Sequence, residues 1–240
     1  MRISAKFQLK NREIQTDYRR AILALLKTGL SNYSSGEFYH EWYDGSAKEK
    51  SFCFSVMLPK GSAFNKETIC LGDTWLHITF STSDHRTAML LSNILQEMKG
   101  TPFPLVHNEM TLISIAMLPE MILPTTSKIY LRMLAPLCVR TFQEENRQYV
   151  SIQHDDFVKQ VCDQLKRRYR NLPDNAFDGF CFMPIDMKKT VITHYDQKIE
   201  CTLGSAFISG DPRLLKAIYD NGLGTRCSAG FGLIDIIRQE

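Results

Sequence analysis

Arg2-Ile3-Ser4-Ala5-Lys6-Phe7-Gln8-Leu9-Lys10 alternates apolar and polar residues without a break. A period of two puts Ile3, Ala5, Phe7 and Leu9 on one face of a strand and the charged and amide residues on the other. The period then changes. Thr16 or Asp17 offers a helix cap, Ile22, Leu25, Leu26 and Leu30 recur at helical spacing, and Gly29 is the expected stop. A polar, aromatic-rich segment covers residues 31–50. Residues 52–58 and Trp75–Ser81 read as strands. Residues 84–98 read as a second helix with Ala88, Leu91, Ile94, Leu95 and Met98 inward, and residues 112–118 as a closing strand. The order is strand, helix, strand, strand, helix, strand.

The same order returns in the second half. Residues 128–142 offer a strand, and Asp155 or Asp156 opens a helix carrying Val158, Val161, Cys162, Leu165 and Tyr169. Residues 189–195 and 198–208 form a hairpin across Asp196-Gln197. Asp211-Pro212 caps a short helix with Leu214, Leu215 and Ile218 inward, proline being favoured in a first helical turn. Residues 231–238 supply the last strand. The expected fold class is therefore α+β, two tandem ferredoxin-like (βαββαβ, RRM-like) domains, at 1–120 and 127–240. The proline-bearing stretch from Leu118 to Thr126 is the expected linker.

Composition narrows the function classes. The 29 basic residues exceed the 26 acidic ones only slightly, for a net charge of +3, so a nucleic-acid partner would depend on where the positive charge sits. Seven cysteines are scattered with no Cys-x-x-Cys pair, which argues against zinc and redox motifs and fits a reducing cytoplasm. No apolar run is long enough to span a bilayer, and Met1 to Lys6 shows no signal-peptide pattern. No metal or other cofactor is expected: His77 reads as a half-core residue of its strand, His85 sits at a helix start, and His107, His154 and His194 lack carboxylate or cysteine partners at ligand spacing. His194, near Lys188 and Lys189, is an alternative nucleic-acid contact.

Gly222-Leu223-Gly224 and Gly230-Phe231-Gly232 bracket Thr225-Arg226-Cys227-Ser228-Ala229. Four glycines in eleven positions suit a loop whose backbone comes close to something else, and its amides could form an anion site beside the Arg226 guanidinium. The plain alternative is a tight helix-to-strand connection with Leu223 and Phe231 packed inward. The dinucleotide and P-loop spacings are both absent.

This loop, with Asp211-Pro212-Arg213-Leu214-Leu215 before it, resembles the C-terminal signature of the Cas6 family of CRISPR-associated endoribonucleases, in the RAMP superfamily. Tyr39-His40-Glu41 followed by Phe52-Cys53-Phe54-Ser55 resembles the family more loosely. The resemblance implies two ferredoxin-like domains and metal-independent cleavage of CRISPR repeat RNA by the RNA's own 2′-OH, leaving a 2′,3′-cyclic phosphate and a 5′-OH. It implies a catalytic histidine after the first helix, a position that falls on His40. Tyr33 and Lys48 are the accompanying candidates, with Tyr39 and Lys50 as substitutes. Gly222, Gly224, Arg226, Gly230 and Gly232, with Lys188, Lys189, Arg167 and Arg168, are the expected RNA contacts. The resemblance also admits effector-complex subunits as partners, a homodimer, and a non-cleaving RNA-binding RAMP subunit as the rival reading.

Overall fold

The computed structural model describes residues 1–43, 50–121, 128–141 and 148–239. The chain divides into two compact units. The first comprises Met1–Ser51, Val56–Pro119 and Thr193–Gln197; the second comprises Phe52–Ser55, Glu120–Ile192 and Lys198–Glu240. The division is thus not a single cut, because each unit holds a short segment from the other half of the sequence.

In the first half the elements run β1 (Arg2–Leu9), β2 (Glu13–Gln15), α1 (Tyr18–Asn32), α2 (Glu37–Trp42), β3 (Cys53–Met57), β4 (Ala63–Phe64), β5 (Thr68–Cys70), β6 (Trp75–Ser81), α3 (His85–Met98), β7 (Pro102–Leu105) and β8 (Asn108–Leu118). The main sheet has the order β3-β6-β1-β8-β7. β1 lies in its middle, antiparallel to both neighbours, with Ile3, Ala5 and Phe7 opposite Phe80, Ile78 and Leu76 of β6. Those inward residues are buried, and the alternation of the opening stretch is a two-sided sheet made visible. Without its edge strand β7, the order is that of a ferredoxin-like βαββαβ unit. β2, β5 and β4 form a separate small sheet.

α1 buries Ile22, Leu25, Leu26 and Leu30 as expected, but it does not stop at Gly29. A Cβ there would lie 2.9 Å from the Met98 sulfur of α3, so the missing side chain serves helix-on-helix approach rather than a C-cap. α3 follows expectation closely: the Asp84 carboxylate accepts from the amides of Arg86 and Thr87, satisfying two of the orphan N–H groups at the helix start.

The second half runs β9 (Lys128–Met133), β10 (Val139–Arg140), β11 (Tyr149–Val150), α4 (Phe157–Arg168), β12 (Cys181–His194), β13 (Gln197–Ser209), α5 (Pro212–Asn221) and β14 (Ile234–Gln239). Its sheet order, β12-β13-β9-β14, is again ferredoxin-like. The first strand is shorter than expected: after Met133 the chain leaves the sheet, and β10 pairs with β11 instead. β12 and β13 are longer than expected, and the turn falls on Tyr195-Asp196, both at positive φ, rather than on Asp196-Gln197. Val161, Leu165, Leu214, Leu215 and Ile218 of α4 and α5 close over Leu131 and Ile236 of the sheet in one apolar core. Each such side chain contributes about 1.5–3 kcal/mol by leaving water.

Gly204 in β13 sits at φ +133°, where an added Cβ would lie 1.7 Å from the Asp186 carbonyl oxygen in β12. Gly204→Ala should lose about 3 kcal/mol in urea unfolding, whereas Gly61→Ala, at φ +85° with no atom within 4 Å, should lose only the backbone strain of about 1 kcal/mol.

Candidate nucleic-acid interface and active site

After α1 the chain does not become a loop. Asn32 leads into a 3₁₀ turn at Tyr33–Gly36, with Ser34 and Ser35 at positive φ, and Gly36 at φ +82° starts α2. The six residues Glu-Phe-Tyr-His-Glu-Trp are too few to form a helix alone in water. Neighbours from α1 and α3 hold this one. Arg86 at the start of α3 donates to both Glu41 oxygens, at 3.0 and 2.7 Å. Its guanidinium also lies 5.7 Å from the Phe38 ring centre.

His40 is exposed on α2, edge-on to Tyr39 with ring centres 5.8 Å apart. Tyr33 is in the turn before it; its hydroxyl accepts from the Asn93 amide at 2.9 Å and its ring packs on Phe38. Lys48 lies outside the described residues. Lys50, its alternative, is described: its ammonium stands 4.4 Å from the centre of the Tyr43 ring, and Lys27 of α1 stands 4.9 Å from the same ring. Two cations thus share one aromatic ring, an arrangement worth more where water is partly excluded. Burial, with Tyr195 and Tyr39 nearby, pushes the Tyr43 phenol up to about 12. Tyr43, Trp42 and Arg86 were absent from the expected set. The i,i+4 spacing of Tyr39 and Tyr43, whose rings are 5.5 Å apart, was the signal that could have shown a helix there.

A second group of expected contacts lies in the second unit. Gly222, Gly224, Gly230 and Gly232 are buried and all at positive φ. A Cβ on Gly232 would lie 2.0 Å from the Leu223 carbonyl oxygen, and one on Gly224 would lie 2.5 Å from that of Cys138. The amides of Leu223, Thr225, Gly230 and Gly232 donate to the carbonyls of Gly232, Cys138, Cys227 and Pro136. Those four donors hold protein backbone rather than an anion, and Leu223 and Phe231 are fully buried. Tyr169 donates to the Gly222 carbonyl from below, its phenol pushed well up by burial.

The basic side chains divide by engagement. Arg226, at φ +58°, donates from Nε to the Tyr149 hydroxyl at 2.7 Å and stacks on that ring. Arg168 donates to the Asn221 carbonyl at 2.7 Å. Lys189 pairs with Glu200, which also faces His154 and whose carboxyl the lysine holds below its usual range. Lys188 reaches exposed Asp186 at 3.9 Å, and Lys166, Arg167 and Arg170 are exposed on or just after the last turn of α4. Positive charge is thus carried at several positions of the second unit, with Arg226 and Arg168 held by hydrogen bonds.

His194, the alternative RNA contact, lies inside the fold. It is 2% exposed, its Nδ1 lies 3.4 Å from the Asp17 carboxylate, and that carboxylate also accepts the Tyr195 amide. Asp17 thus precedes α1 without capping it, its side chain being spent on the hairpin end. Among the described residues no three His, Cys, Asp or Glu side chains converge in a way that could hold a metal ion. No helix among them is long and apolar enough to cross a membrane.

Two ferredoxin-like units and a glycine-bracketed connection into the last strand define a RAMP-fold protein. Residues 118–236 match the family described as "CRISPR associated protein Cas6, C-terminal", so the second half of the chain is a Cas6 C-terminal domain. Among solved structures it is similar to a Cas6-related protein from Pyrococcus furiosus (TM-score 0.85, 18% identity, covering 100% of this chain and 99% of that one). It is similar also to "an RAMP protein binding different RNA substrates" (0.84, 17%, 99% and 100%) and to a Cas6 product complex (0.75, 14%, 99% and 100%). At these identities the likeness speaks for the fold. No curated protein matches.

The Tyr43 phenol holds its proton more tightly in the folded chain than in the unfolded one. Its contribution to stability is therefore complete below pH 10 and is lost as pH rises through about 12. Tyr43→Phe should flatten the alkaline limb of the stability curve between those values and remove the phenol that ionises near pH 12 from an ultraviolet titration.

Proposed function

We propose that this protein is a metal-independent endoribonuclease that binds CRISPR repeat RNA and cuts the precursor transcript within each repeat. The observation that carries the reading is an exposed imidazole, His40, on the short helix α2 that follows α1, in a chain whose second half is a Cas6 C-terminal domain. RNA brings its own nucleophile. The 2′-oxygen attacks the adjacent phosphorus, the bond from phosphorus to the 5′-oxygen breaks, and a 2′,3′-cyclic phosphate and a 5′-OH result. One proton leaves the 2′-OH and one must reach the departing oxygen. Histidine is the side chain suited to such transfers near neutral pH, and His40 is proposed to carry one of them.

The crowded phosphate gains negative charge at the transition state, so a nearby ammonium lowers the barrier. Lys50, held over Tyr43, and Lys48 are the cations proposed for this role. Tyr33, anchored by Asn93, would position the scissile nucleotide. The exposed cations around the end of α4, with Lys188 and Arg226, would meet phosphates elsewhere on the repeat. In this reading Gly222, Gly224, Gly230 and Gly232 shape the surface that presents Arg226.

The likeness to a RAMP protein that binds different RNA substrates favours a second reading: a guide-RNA binding subunit that does not cut. One assay separates the two. End-labelled repeat RNA in EDTA should be cut once by the wild-type protein and not at all when the scissile nucleotide is 2′-deoxy. His40→Ala should slow the cut about 100- to 10,000-fold while leaving RNA affinity nearly unchanged. Tight binding with no cut would sink the nuclease reading. Separately, Arg226→Ala should weaken binding and lower the slope of log affinity against log salt by about 1, the share of a single phosphate contact; an unchanged slope removes Arg226 from the phosphate contacts.

A further inference from the structure

A cavity of about 340 Å³ opens beside α2 in the first unit, and the roles above leave most of its lining without a function. Trp42, Glu41, Lys50, Arg86 and Asp84 line it, with Leu90 and Thr87 among the rest. The volume is at the low end of small-molecule sites, the size for one nucleoside and too small for paired strands. Its surface is also of the right kind. An indole offers a π-face. The Arg86 guanidinium, joined to Glu41 by two hydrogen bonds, offers a second flat platform. Lys50 brings positive charge, and the Glu41, Asp84 and Ser51 oxygens supply acceptors at the edge.

We propose that this cavity takes one unpaired base of the RNA, stacked on Trp42 and Arg86, at a nucleotide flanking the cut. This deepens the RNA-processing reading and rests on it. The base belongs to a neighbour rather than to the scissile nucleotide because of helix geometry. His40 and Trp42 are two residues apart on α2, and side chains at that spacing point to different sides of a helix. A strand passing His40 on one side can drop its next accessible base into the cavity on the other. A stacked base held there fixes the backbone at the cut, which is how binding away from the reacting atoms contributes to rate. Stacking tolerates any base; the acceptors at the rim favour one that carries an exocyclic amino group.

The chain has two tryptophans, Trp42 and Trp75, so the test can be made optical. In Trp75→Phe the indole of Trp42 is the sole reporter. RNA made uncleavable by a 2′-deoxy scissile nucleotide is added, and binding is followed at the same time by anisotropy of a label on the RNA. Indole emission should be quenched at least about twofold on saturation. When abasic sites are walked along the RNA, a single position near the cut should abolish the quenching and weaken binding about tenfold, the share of one stacked base. Trp42→Leu, checked for an unchanged unfolding midpoint, should weaken intact RNA to the same degree and leave the RNA abasic at that position unaffected. Binding by anisotropy with no change in emission, or quenching indifferent to every abasic site, overturns the cavity proposal alone. No change in anisotropy overturns it together with the RNA reading.

Discussion

Backbone must touch backbone where α5 turns into β14, and much of the second unit depends on that contact. β14 can pair with β9 only if the chain leaving α5 folds across itself between Leu223 and Gly232. No side chain fits at the crossing, as the 2.0 Å approach at Gly232 makes plain. Once crossed, the segment buries Leu223, Cys227 and Phe231 and ties itself to Pro136 and Cys138 behind β9. Arg226 emerges from this fixed base. Its left-handed backbone and its bond to Tyr149 set the direction of a charge that would otherwise roam.

The neighbourhood of His40 is built by the opposite means. α2 is short, its residues are half-buried at most, and its order comes from charges and rings rather than from a core. Arg86 grips it from α3, and the lysines of α1 and of the following segment bracket Tyr43. Such an element can shift at small cost, since exposed ion pairs are weak. A rigid sheet carrying a lightly held helix is a reasonable support for groups that must adjust to a substrate.

How much of this was legible depended on period and length. β1 and β6 alternate over seven or more residues, so their faces could be read directly, and α3 announced itself through Asp84 and its apolar stripe. The glycine loop was visible as unusual, but its composition alone left two physical uses open: amides facing an anion, or amides facing carbonyls. α2 was hidden because six residues with three aromatics make no apolar stripe. Gly29 misled because a glycine late in a helix has two uses, a stop or a close approach, and only Met98 on α3 decides between them. The small sheet of β2, β4 and β5 is built from strands of two or three residues, below the length at which alternation is a signal.

The exchange of short segments between the two units bears on heredity as well as on shape. A pair of βαββαβ units suggests modules that recombination could trade one at a time. Here a break near residue 120 would separate Asp17 and Arg20 from the Thr193–Gln197 turn they hold, and Phe52–Ser55 from the unit that counts them as its own. Neither half would travel complete. The two are therefore bound to vary together, and a graft between relatives would have to carry both crossing segments to yield a foldable chain.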